Sequence, residues 1–139
     1  MYKKSEAVRG LESLATVEAK AKHPGNPYII NRTFRDDRAN DLTRCVVEYI
    51  RLRGGFASRI NSTGVYNQKL KKYIPGTSRR GLADVMGVYR GKSLHVEIKI
   101  GRDKQSEHQK RVEAEVIRSG GLYFIARDFE SFKQWFDKL

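Results

Sequence analysis

The chain has 139 residues, with 28 lysines and arginines against 16 acids and a formal charge of +12. That length suits one domain with a single core, and the lone Cys45 excludes both a disulfide framework and a paired zinc ligand set. There is no signal-peptide pattern and no apolar run near the ~20 residues that span a bilayer, so a soluble, cytoplasmic protein with no membrane partner is expected.

In chain order, Ser5 is placed to cap a helix over residues 5–22, with Val8, Leu11, Leu14 and Val17 inward. His23-Pro24-Gly25-Asn26-Pro27 breaks it, so residues 1–40 read as a helical appendage and 41–139 as the main domain. Asn40 or Asp41 is the expected cap of the next helix, which turns Leu42, Cys45, Val46, Tyr49 and Ile50 inward and ends at Gly54-Gly55. Residues 56–61 predict a strand. Residues 65–78 form a lysine-rich excursion closed by Pro75-Gly76, either a strand and turn or a loop. Residues 82–89 and 93–100 predict two more strands joined through Arg90-Gly91-Lys92-Ser93. Ser106 and Gln109 form a capping-box pattern for a helix over 106–119, with Val112, Val116 and Ile117 inward, and Gly120-Gly121 stops it. Residues 122–126 give a last strand, and Asp128 caps a helix with Phe129, Phe132, Trp135, Phe136 and Leu139 inward. This order predicts an α/β sandwich with a central mixed sheet flanked by helices.

Charge is uneven along the chain: residues 41–80 hold 9 basic and 2 acidic groups, against 8 and 5 in 1–40 and 11 and 9 in 81–139. A basic surface of this kind attracts polyphosphate. Lys69, Lys71, Lys72, Arg79 and Arg80 are the candidates for contact with a nucleic-acid backbone.

The chemistry concentrates in residues 84–99. Side chains of a strand alternate, so Leu94, Val96, Ile98 and Ile100 share an apolar face while His95, Glu97 and Lys99 share the other. A two-residue turn at Arg90-Gly91 sets Asp84 opposite Glu97, and one at Gly91-Lys92 sets it opposite Lys99. Two facing carboxylates repel unless a cation lies between them. Magnesium accepts one or two carboxylates and completes its shell with water and phosphate oxygens, and a neighbouring lysine stabilises negative charge developing there. Asp84, Glu97 and Lys99 are therefore the candidate catalytic residues of a metal-assisted phosphodiester hydrolysis, with Mg2+ or Mn2+ as cofactor.

Asp84 followed by Glu97-Ile98-Lys99 resembles the PD-(D/E)xK nuclease superfamily. With Gly81-Leu82-Ala83-Asp84-Val85-Met86-Gly87, Ser106-Glu107-His108-Gln109 and Gly120-Gly121-Leu122-Tyr123, the chain is similar to its VRR-nuc branch, allied to Holliday-junction resolvases, from about Asp41 onward. Ala83 stands where the superfamily name has proline. The resemblance implies a restriction-endonuclease-like fold and an endonuclease acting on DNA, selective for branched or junction structure. It also implies Glu48 as a helix-borne metal ligand, the Ile98 carbonyl as a third protein ligand, Gln109 as an active-site partner and Arg59 and Asn61 as substrate-facing residues. For Glu48 an ordinary solvated helix acid, and for Gln109 the capping box alone, stay open. A catalytically silent nucleic-acid-binding module of the same fold and an RNA nuclease are the alternatives, and a two-fold homodimer is the expected assembly.

Overall fold

The computed structural model describes residues 1–61, 64–76 and 79–139. Its elements are α1 (Glu6–Lys22), α2 (Ala39–Leu52), β1 (Phe56–Arg59), β2 (Val65–Asn67), β3 (Lys72–Ile74), β4 (Val85–Tyr89), β5 (Lys92–Ile98), α3 (Glu107–Arg118), β6 (Leu122–Ala126) and α4 (Phe129–Phe136). Strands β1, β4, β5 and β6 lie side by side in that order, while β2 and β3 form a separate two-stranded hairpin. The main sheet is antiparallel except for β5 and β6, which are parallel because α3 carries the chain back between them. The fold is thus mixed α/β with a mixed central sheet.

Local sequence explains the ends of the elements. The Ser5 hydroxyl accepts from the Val8 amide, and the Asp128 carboxylate accepts from the Ser131 amide, so α1 and α4 start where a capping residue allows. Helices α2 and α3 end alike: Gly54 and Gly55 donate to the Arg51 and Ile50 carbonyls, and Gly120 and Gly121 donate to those of Ile117 and Val116. The start of α2 differs from expectation. Its capping position is Arg38, with no side-chain cap, and the Asn40 amide oxygen is instead taken by the Arg59 guanidinium at 2.6 Å.

A single core joins α1, α2 and α4 to one face of the sheet. It contains the expected stripe of α2, Phe129, Phe132 and Phe136 of α4, and Val85, Leu94, Val96 and Ile98 of the strands. Residues 1–40 are not an appendage. Val8, Leu11 and Ala15 of α1 are buried in this same core, Phe34 joins them, and Asp36 ties the segment down by accepting from the Tyr2 hydroxyl and the Phe129 amide. Leu14 and Val17 are exposed, since residues three apart rotate by about 60° per step and a series spaced that way winds off the seam. Ile117 is exposed for a similar reason, lying about 140° round α3 from the buried Val112. Helix α3 packs on β6 and covers the opposite face of the sheet, the one that carries Glu97.

Candidate active site

Arg90 and Gly91 both adopt left-handed backbone, at φ 49° and 75°, as a two-residue type I′ turn requires. The turn fixes the register: Tyr89 faces Lys92, Val85 faces Val96, and Asp84, one residue beyond, comes opposite Glu97. Before Asp84 the chain is held close to α3. Gly81 sits at φ 88°, and a Cβ there would lie 2.6 Å from the His108 carbonyl oxygen.

Each carboxylate is held at one oxygen. Asp84 Oδ2 accepts from the Ile98 amide at 2.8 Å. Glu97 Oε1 accepts from Gln109 Nε2 at 2.6 Å and lies 3.2 Å from Lys99 Nζ, which also approaches Asp103 at 3.6 Å. Gln109 closes the capping box and also reaches the acids: its amide oxygen accepts from Ser106 N at 2.8 Å, and this turns its NH2 group toward Glu97. Glu97 Oε2 is buried with no hydrogen-bond partner among the described residues. Burial first, and then the charge of Asp84, push the Glu97 carboxyl up to about 7, against the lowering effect of Lys99.

An orphaned carboxylate oxygen at a buried site costs free energy unless a proton or a cation satisfies it. The donor set suits a hard divalent ion: two carboxylates from Asp84 and Glu97, and the carbonyl of Ile98, which in an extended strand points to the same edge as the Ile98 amide held by Asp84. Among the described residues no group of three or more His, Cys, Asp or Glu side chains could hold a metal ion together. An ion here would draw on Asp84 and Glu97 and fill its remaining positions with carbonyl, water or substrate oxygens.

Several expected site residues are elsewhere. The Glu48 carboxylate lies 2.7 Å from Arg51 and 3.6 Å from Arg32, and Arg51 in turn grips Glu18, so Glu48 joins α2 to α1 instead of meeting the acids. Arg59 pairs across the strands with Val85, which places it on the core face and leaves it bonded to Asn40. Asn61 is exposed just past β1. Arg79 is held by both Glu115 oxygens at 2.7 and 2.8 Å, whereas Arg80, Lys69, Lys71 and Lys72 are exposed and make no ion pair among the described residues. The last two residues of the lysine-rich excursion, 77 and 78, lie outside the described residues.

Two site residues were not anticipated. Asp103 approaches Lys99 from the loop after β5, and Tyr123 stands on β6 opposite His95, where burial and then the Glu97 charge raise its phenol. Strand alternation carried the signal for Tyr123, because β6 pairs in parallel with the strand that bears Glu97. His95 is buried, its Nε2 is 2.9 Å from the Ser93 hydroxyl, and burial holds its pKa below the ordinary value.

The buried carboxyl makes stability depend on pH. With a folded pKa of about 7 and an ordinary value of 4.5, Glu97 favours the folded state while protonated. That contribution is complete below 4.5 and is lost as pH rises through 7. At about 1.4 kcal/mol per tenfold change in proton affinity, the metal-free protein should lose up to about 3 kcal/mol relative to Glu97→Gln across this window. His95 acts in the opposite direction, so the difference between wild type and variant is the informative quantity. Thermal unfolding in EDTA from pH 4.5 to 8 measures it, and Mg2+ should raise the wild-type midpoint most at the alkaline end. Parallel pH profiles for the two proteins would exclude the effect.

No protein-family model matches this chain, and no curated protein matches it.

Proposed function

We propose that the chain is a divalent-metal-dependent endonuclease of restriction-endonuclease-like type that hydrolyses DNA phosphodiester bonds. The observation that carries this reading is Glu97 Oε2, buried beside Asp84 with no hydrogen-bond partner among the described residues, and a lysine ammonium 3.2 Å from the other Glu97 oxygen. A bound Mg2+ or Mn2+ would supply Lewis acidity and a water of lowered pKa. Asp84 and Glu97 present the two carboxylates, and the Ile98 amide and Gln109 keep them oriented. Lys99 projects from the same face as Glu97, where its charge can offset negative charge growing on a phosphoryl oxygen. Lys69, Lys71, Lys72 and Arg80, exposed and without an ion pair among the described residues in a protein of charge +12, favour a polyanionic substrate.

The test is cleavage of four-way junction, flap, duplex and single-stranded DNA and of matched RNA, with Mg2+ or Mn2+ and in EDTA. Metal-dependent cutting of DNA is the expected result. Binding without cutting under every condition would make the chain a silent binding module, and cutting confined to RNA would correct the substrate.

A further inference from the structure

The acidic site makes no use of the β2–β3 hairpin. Among the described residues no helix or strand of the body packs extensively against it. A two-stranded hairpin alone is marginal in water. This one nevertheless displays its largest side chains: Tyr66 and Tyr73 face each other directly across the strands and are 56% and 58% exposed. Lys69 and Lys71 lie in the connecting turn and Lys72 opens β3, beside Tyr73. Lys71 holds a left-handed backbone, φ 49°, that glycine or asparagine would adopt at less cost.

Charge sets this segment apart. Residues 49–83 contain eight lysines and arginines and no acid. Basic groups near the ends of that run are neutralised, Arg51 by Glu18 and Glu48 and Arg79 by Glu115. The hairpin lysines make no ion pair among the described residues. A protein partner would call for an interface core depleted of charge, whereas paired aromatic rings interleaved with unpaired lysines suit a strand of nucleic acid, whose bases stack and whose phosphates attract cations. The anchoring of the hairpin is equally specific. The chain departs after Ile60 and returns at Asp84, and these two residues are joined by a 2.8 Å bond from the Ile60 amide to the Asp84 carbonyl.

We propose that the β2–β3 hairpin is a base-stacking arm, in which Tyr66 and Tyr73 stack on unpaired DNA bases while Lys69, Lys71 and Lys72 hold the adjoining phosphates. The arm would make the protein prefer gapped, branched or single-stranded DNA to continuous duplex. This rests on the reading of the acidic site as a DNA nuclease.

The experiment measures fluorescence anisotropy in EDTA, using labelled continuous duplex, the same duplex with a short single-stranded gap, and the single strand. Tyr66→Ala and Tyr73→Ala should each weaken binding to gapped and single-stranded DNA by roughly tenfold. On duplex the change should be under about twofold, and Tyr→Phe at either position should behave as wild type. Thermal midpoints should not move, because the hairpin lies outside the core. Replacing all three lysines by alanine should weaken binding to every DNA and flatten the log–log salt dependence on duplex by up to ~3. Equal losses on duplex and gapped DNA, or no loss, would overturn the arm. So would tyrosine variants that lose affinity only as they pass from dimer to monomer in sedimentation, since a second copy of the chain would then cover the hairpin. Wild-type protein that cuts DNA with its tyrosine variants unaffected keeps the nuclease and removes the arm. Tyrosine-dependent binding without metal-dependent cutting keeps the arm and removes the nuclease.

Discussion

Asp84→Asn is expected to abolish metal binding and DNA cleavage while leaving the fold intact or slightly more stable. The asparagine oxygen can still accept from the Ile98 amide, which holds Asp84 Oδ2 at 2.8 Å. Its NH2 group would then face Glu97, replacing a repelling charge with a hydrogen-bond donor. The Asp84 charge is the second largest cause, after burial, of the raised Glu97 pKa, so the variant should also relax that carboxyl toward its ordinary value. A metal site left with one carboxylate loses the charge that holds the ion, and single-turnover cleavage should fall by roughly 10³-fold or more. Titration calorimetry with Mn2+, thermal unfolding and single-turnover kinetics would be compared with wild type. Equal metal affinity in both proteins, with neither cutting any substrate, would make the facing acids structural.

Lys99→Ala should separate charge stabilisation from metal binding. Its ammonium is 3.2 Å from Glu97 and 3.6 Å from Asp103, and its side chain is almost fully buried. Removing it leaves both carboxylates, so Mn2+ binding should persist, while the single-turnover rate at saturating metal falls by roughly 10²-fold. Metal-free protein should be less stable because Glu97 loses its counter-charge, and added metal should restore most of that loss. Full rate recovery at high metal concentration would show that Lys99 serves only to hold Glu97.

What could be read from the sequence was local. Strand alternation put Asp84, Glu97 and Lys99 on one face, but turns at Arg90-Gly91 and Gly91-Lys92 were both open, and the structure realises the first, which sets Asp84 opposite Glu97. The capping box of Gln109 was legible from its spacing to Ser106, and the same side chain also donates to Glu97, a partner that the spacing did not name. What stayed hidden depends on partners distant in sequence. Helical angle placed Glu48 at the margin of a stripe but could not say that Arg32 and Arg51 would reach it first. Arg79 looked available because its partner, Glu115, lies 36 residues further on. The docking of α1 depends on Phe34 and Asp36, in a stretch with no periodicity to read. The hairpin was undecided for a related reason: its strands are three residues each, too short for alternation to distinguish them from a loop.

The bond between Ile60 and Asp84 brings together the two ends of the excursion that carries the β2–β3 hairpin. Extra length in a flexible connection closed in this way costs little, roughly 0.6 kcal/mol for each doubling. An arm joined to the sheet at such a neck can lengthen, shorten or change its tip while Asp84 keeps its position against Glu97. On the proposed reading, reach toward a substrate and the chemistry performed on it would lie on separable stretches of chain.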